Sequence, residues 1–76
     1  MTKHRHTVTN TATGLVHDTI DAVDAATAAR SWATLVGRDV LADAIVYAAP
    51  DGHRARLSGR HVSRDRRVSF MIERRY

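Results

Sequence analysis

Arginine is the residue type with the clearest chemistry in this chain, because it supplies eleven of the twelve basic side chains. Eight arginines fall within residues 52–76 against two acids, which gives this segment a net charge of +6. A guanidinium presents a planar fork of donors that matches phosphate oxygens and stays charged at any relevant pH. We therefore predict binding of nucleic acid, mainly through its phosphates. The residues expected to bind are Arg54, Arg56, Arg60, Arg64, Arg66, Arg67 and Arg75.

The same charge is also compatible with a protein partner or with a solvated surface. No helix-turn-helix, zinc-finger or glycine-rich nucleic-acid motif accompanies the arginines, and Tyr76 is the one aromatic expected to be exposed among them. Residues 15–51 carry six aspartates against two arginines, a net charge of −4, so an acidic partner protein or a homodimer is the alternative target. A third alternative is that the arginines form a solvated face that binds no ligand. Such an arginine content is typical of a high-GC genome.

The histidines near the N-terminus are the second candidate site. His4 and His6 share one side of a predicted strand, whereas His17 falls on the opposite face of the next strand. Zinc requires about four ligands near 2 Å, and no fourth ligand is evident. We therefore expect no metal site, with exposed histidines at a frayed N-terminus (residues 1–4) and His61 packed at a strand end.

Carboxylates and serines give no sign of catalysis. Asp18, Asp21 and Asp24 surround the start of a predicted helix, where negative charge stabilises the helix dipole, and Asp39 and Asp43 follow its end. Acid–base or magnesium chemistry would need a cleft that a chain of 76 residues hardly forms. The four serines lack a recognisable base partner. We predict a protein that is not an enzyme and has no cofactor.

The elements that must position these side chains follow the order ββαβββ. Strands are predicted at residues 5–11, 15–20, 43–49, 53–61 and 67–74, with a helix at 25–36. Turns are indicated by Ala12-Thr13-Gly14 and Pro50-Asp51-Gly52, in which glycine accepts a positive φ. The expected fold is a single α+β domain, residues 1–76, with one amphipathic helix packed on an antiparallel sheet.

The helix has clear boundaries, and the sheet has a predicted register. Asp24 is a suitable N-cap, Gly37 is placed to end the helix, and Trp32 anchors its apolar stripe. Pairing Leu57 with both Ile45 and Ile72 gives the three C-terminal strands one common apolar face. The predicted core is Trp32, Leu35, Val36, Ile45, Tyr47, Leu57, Phe70 and Ile72. The arginines named above then occupy the other face, with Arg64 and Arg66 at the connecting turn.

Features that the sequence lacks indicate the cellular compartment of the protein. The chain has no cysteine, so neither a disulfide nor a thiolate ligand is available. No apolar run approaches the roughly 20 residues that cross a bilayer, and the N-terminus lacks the apolar region of a signal peptide. We therefore expect a cytoplasmic protein with no membrane association.

Overall fold

The computed structural model describes residues 2–37 and 39–75, which form one antiparallel sheet and one helix. In chain order the elements are β1 (His4–Asn10), β2 (Val16–Ala22), α1 (Ala25–Val36), β3 (Leu41–Ala48), β4 (Arg54–His61) and β5 (Arg66–Arg74). The strand order across the sheet is β2-β1-β5-β4-β3, and α1 packs on one face. This arrangement confirms the predicted α+β class and the ββαβββ order. No helix in the described part of the chain has the length and apolar character needed to cross a bilayer.

The helix begins and ends where its capping residues predict. The Asp24 carboxylate accepts a hydrogen bond from the backbone N–H of Thr27 at 2.8 Å, which satisfies a free donor of the first turn. Hydrogen bonding from Thr27 holds the pKa of Asp24 below its ordinary value. Gly37 ends the helix with φ at 85°, a conformation that glycine adopts without steric cost. Both capping predictions are therefore confirmed.

The core lies between α1 and the sheet. Alanines on the buried side of α1 let the helix approach closely, and Trp32 stacks at a tilt on Phe70 with ring centroids 4.7 Å apart. The predictions for Trp32, Phe70, Leu57 and Ile72 are confirmed by their burial. Among residues 2–37 and 39–75, the buried apolar set is Val8, Ala22, Ala25, Ala28, Ala29, Trp32, Leu41, Ala55, Leu57, Phe70 and Ile72.

Three predicted core residues are exposed instead. Leu35 is 72% exposed because it lies on the flank of the helical stripe, beyond the sheet. Ile45 and Tyr47 are 47% and 49% exposed because the β3–β4 pairing shifts by one residue between Ala42 and Ile45. Asp43 takes a positive φ of 54° within this bulge. A bulge turns all later side chains of the strand to the other face, so the prediction that Ile45 and Tyr47 point towards the core was wrong.

The β4–β5 hairpin turns one residue earlier along the chain than the predicted turn at Arg64-Asp65. Leu57 lies opposite Phe70 rather than Ile72, and His61 lies opposite Arg66, which leaves residues 62–65 as the loop. The register therefore differs from the prediction by two residues. Because two residues are one full period of a strand, the same side chains still face α1.

The β1–β2 hairpin also contains a bulge. Pairing shifts between Val8 and Thr9, so that Val16 lies opposite Thr9 and is 57% exposed. Val16 therefore lies on the face of the sheet opposite to that of the buried Val8. The ring of His17 instead meets the edge of Phe70, with centroids 5.6 Å apart, on the side of α1. His6 is also on that side and fully buried, which overturns the expectation of an exposed, frayed position.

Candidate nucleic-acid interface

The sheet face turned away from α1, called here the open face, carries most of the predicted arginines. On β4, Arg54, Arg56 and Arg60 alternate with Ala55 and Leu57, which are buried against α1. On β5, Arg67 lies directly opposite Arg60. Since successive side chains of a strand point to opposite faces, these four arginines share the open face as predicted.

The other three predicted arginines are placed less uniformly. Arg75 follows β5 by one residue, is exposed, and donates its backbone N–H to the carbonyl of Arg5 at 2.7 Å. Arg64 lines a cavity of about 260 Å³ together with Trp32 of α1. Arg66 lies opposite His61 at the α1 side of the sheet. The structure therefore brings five of the seven predicted arginines to the open face or its end, and it separates Arg64 and Arg66 from them.

An aromatic side chain, Tyr47, lies beside the arginines of the open face. One row of paired residues crosses all five strands of the open face, in the order Tyr47, Arg56, Met71, Thr9 and Val16. The guanidinium carbon of Arg56 lies 4.9 Å from the centroid of the Tyr47 ring, which is cation–π geometry. Both side chains border a mainly apolar groove of about 280 Å³ that also contains Met71. This row presents flat stacking surfaces beside positive charge.

Uncharged groups separate the two ends of the arginine set. The neighbouring row holds Ile45, Ser58 and Ser69, and the Ser58 hydroxyl accepts a hydrogen bond from Arg67 at 3.4 Å. Arg56 and Arg60 are four residues apart on β4, about 14 Å in an extended strand. The open face thus has a strip of hydroxyl and apolar side chains with cations on both sides.

Few carboxylates neutralise these cations. In residues 2–37 and 39–75, the ion pairs join Arg5 to Asp21 at 3.2 Å and Arg60 to Asp65 and Asp43 at 3.3 and 3.9 Å. All of these side chains are substantially exposed, so each pair stabilises the fold by about 1 kcal/mol at most. The guanidinium groups of Arg54, Arg56 and Arg67 take part in none of them. These three remain available to an anionic ligand.

Sequence reasoning missed three contributors to the open face. Tyr47 was assigned to the core because strict alternation allows no bulge, and the only local signal for one was Asp43, since aspartate tolerates a positive φ better than most residues. Met71 is half-buried on the open face, at the position that alternates with Phe70 and Ile72. Arg5 reaches this face because β1 pairs with β5, which local pattern did not predict. Tyr76, the aromatic predicted to be exposed, lies outside the described residues.

The histidines lie apart from the open face. His53 contacts Arg74, with Nε2 3.1 Å from a guanidinium nitrogen. Desolvation and the nearby Arg74 charge lower the pKa of His4 from its ordinary value. Within the described ranges, no group of three histidine, aspartate or glutamate side chains is arranged to hold a metal ion.

Comparison with known proteins gives no relative from which function could be transferred. No protein-family model matches the sequence, and neither the curated proteins nor the solved structures contain a significant match. The interpretation of the open face therefore depends on its own geometry and charge.

Proposed function

We propose that this protein binds nucleic acid through the open face of its sheet. The observation that carries the proposal is the set of Arg54, Arg56 and Arg67, three guanidinium groups on one uncovered face that join no ion pair among the described residues. Arginine forms strong, bidentate hydrogen bonds with phosphate. Binding of this kind is insensitive to sequence and weakens as salt rises, because bound counterions are released.

The repulsion between Arg60 and Arg67 supports the same proposal. These residues lie directly opposite each other, and like charges in such cross-strand pairs destabilise a sheet. Asp43 and Asp65 offset the charge of Arg60, whereas the Arg67 guanidinium donates a hydrogen bond to the neutral Ser58 hydroxyl. A phosphate placed over Arg67 would relieve the remaining repulsion.

The test is the salt dependence of binding, measured by fluorescence anisotropy with labelled DNA. For a single strand, each phosphate contact lowers the slope of log K against log salt by about 0.7. We expect Arg56→Ala/Arg67→Ala to weaken binding and to make this slope shallower by about 1.4. The matched control is Arg64→Ala/Arg66→Ala, which removes the same charge from the α1 side. Equal losses in the two double variants, or no binding at low salt, would contradict the proposal.

A protein partner is the second candidate function, and the edge strand β3 favours it. β3 lies at the end of the strand order, and its Ile45 and Tyr47 side chains are about half exposed. An exposed apolar edge strand can pair with a second copy or with a strand of another protein. Sedimentation velocity over a range of protein concentrations tests self-association. A monomer at all concentrations would exclude the homodimer.

A further inference from the structure

The outward position of Tyr47 narrows the proposed ligand, and this inference depends on the proposed nucleic-acid function. We propose that the open face binds single-stranded rather than duplex nucleic acid, with a base stacked on the Tyr47–Arg56 pair. The Tyr47 ring is 49% exposed and already has the Arg56 guanidinium at 4.9 Å from its centroid. Aromatic rings and arginine planes are the surfaces on which unpaired bases stack.

The surroundings of Tyr47 suit a splayed base. The groove beside its ring has a volume of about 280 Å³ and is lined by Met71 and by backbone and side-chain atoms of the β3–β4 hairpin. Its lining is mainly apolar, as the face of a base requires, while Arg54 at its border supplies a cation for the phosphate of the same nucleotide. Ser69 on the next row is half-buried and adds a hydroxyl group that can bond to a sugar or to a base edge.

The shape of the open face disfavours a duplex. Five strands spaced about 4.8 Å apart span about 19 Å, whereas the major groove of B-DNA is about 12 Å wide and admits a helix or a two-stranded ribbon. A duplex could therefore contact the arginines only through its backbones. Its bases are stacked on one another, so neither Tyr47 nor the adjoining groove would take part in binding.

The experiment compares single strands that carry bases with a single strand that lacks them and with a duplex. Labelled oligo(dA) and oligo(U) of about 12 nucleotides, an abasic strand of equal length and a duplex are titrated at a fixed low salt concentration. The abasic strand keeps every phosphate and lacks every base. We expect the oligonucleotides with bases to bind about 5- to 150-fold more tightly than the abasic strand, the range typical of stacking on one aromatic ring.

Variants assign this difference to the ring. We expect Tyr47→Ala to abolish most of the preference for bases over the abasic strand and Tyr47→Phe to retain it, because the phenyl ring still stacks. Val16→Ala is the matched control, since Val16 is an exposed residue at the far end of the same row. Circular dichroism checks that each variant is folded. We expect that they are, because the Tyr47 and Val16 side chains are both exposed.

The possible outcomes separate this inference from the proposed function. If the abasic strand, the duplex and the oligonucleotides bind equally and all depend on Arg56 and Arg67, phosphate binding stands and the single-strand inference fails. If none of them binds, both fail. Tighter binding of an oligoglutamate peptide than of any oligonucleotide would also overturn the inference, because the site would then recognise an acidic protein. Equal affinity of oligo(dA) and oligo(U) supports stacking without base identity.

Discussion

Gly59 provides a direct test of how the β3–β4 pair packs under α1. A Cβ atom added at this position would lie 2.7 Å from Cγ and 2.9 Å from Cδ1 of Leu41, and 3.2 Å from the carbonyl oxygen of Ala42. Non-bonded carbon atoms do not persist at distances under 3.0 Å, and Leu41 is only 5% exposed, so relief of this contact requires buried atoms to shift. We therefore predict that Gly59→Ala destabilises the protein.

The size of the effect follows from two opposing contributions. Alanine restricts the unfolded chain more than glycine does, which stabilises a protein by about 0.4–1 kcal/mol where the backbone permits it. Overpacking a closed core by one methyl group costs about 1–3 kcal/mol. The steric cost is the larger, so the free energy of unfolding should fall by about 1–2 kcal/mol. The fluorescence of buried Trp32 reports unfolding in urea.

A double-mutant cycle isolates the contact responsible. Leu41→Ala removes both close carbons and by itself costs about 2–5 kcal/mol. In that background Gly59→Ala should cost less than about 0.5 kcal/mol, which gives a coupling energy of at least about 0.5 kcal/mol. All four proteins are measured in the same concentration of a stabilising osmolyte, which keeps the weakest variant folded. Equal costs in both backgrounds, or a Gly59→Ala protein as stable as the original, would refute the packing described.

Three further predictions concern stability. Trp32→Ala removes the residue that stacks on Phe70 and should lower the free energy of unfolding by about 3–5 kcal/mol in urea titrations, with a loss under about 1 kcal/mol as the contrary result. Asp24→Ala removes the N-cap bond to Thr27 and should cost about 1 kcal/mol at neutral pH. The pKa of Asp24 is lowered from 3.8 in the fold, so the stabilisation by its carboxylate is complete above pH 3.8 and is lost as pH falls through the lower folded value. If the unfolding free energies of the original protein and Asp24→Ala differ by the same amount in acid as at neutral pH, this reasoning is wrong. Both ring nitrogens of buried His6 lack a hydrogen-bond partner within residues 2–37 and 39–75, so His6→Leu should stabilise the protein by about 1 kcal/mol, and a lower urea midpoint would disprove it.

Local features of the fold could be predicted from the sequence because their causes lie within a few residues. The helix boundaries follow from Asp24 and Gly37, whose capping bonds involve neighbours in the chain. Gly14 and Gly52 take the positive φ values, 76° and 75°, that their turns indicated. The arginines of β4 share one face because a strand has a period of two residues.

Features that depend on distant parts of the chain could not be predicted in the same way. The pairing of β1 with β5 joins residues such as Val8 and Ile72, and no local signal specifies it. That pairing buries His6 and brings Arg5 towards the other arginines. The two bulges are also invisible to alternation, since one extra residue reverses every later side chain of a strand. The predicted binding set was therefore correct about the alternation of arginines within strands but missed the aromatic ring beside Arg56.

The position of Tyr47 has a physical cause in the helix. Leu41 faces α1, and a regular strand would then turn Ile45 and Tyr47 towards α1 as well. The buried side of α1 is largely alanine, so the space between the helix and β3 suits Val46 better than a tyrosine ring with a hydroxyl group to satisfy. The bulge at Asp43 resolves this conflict because the side chains that follow it point to the opposite faces from those of a regular strand. Burying an apolar side chain stabilises a protein by about 1.5–3 kcal/mol. Ile45 is 47% exposed, so much of this stabilisation is not gained there. The same reversal places an aromatic ring beside Arg56 on the open face.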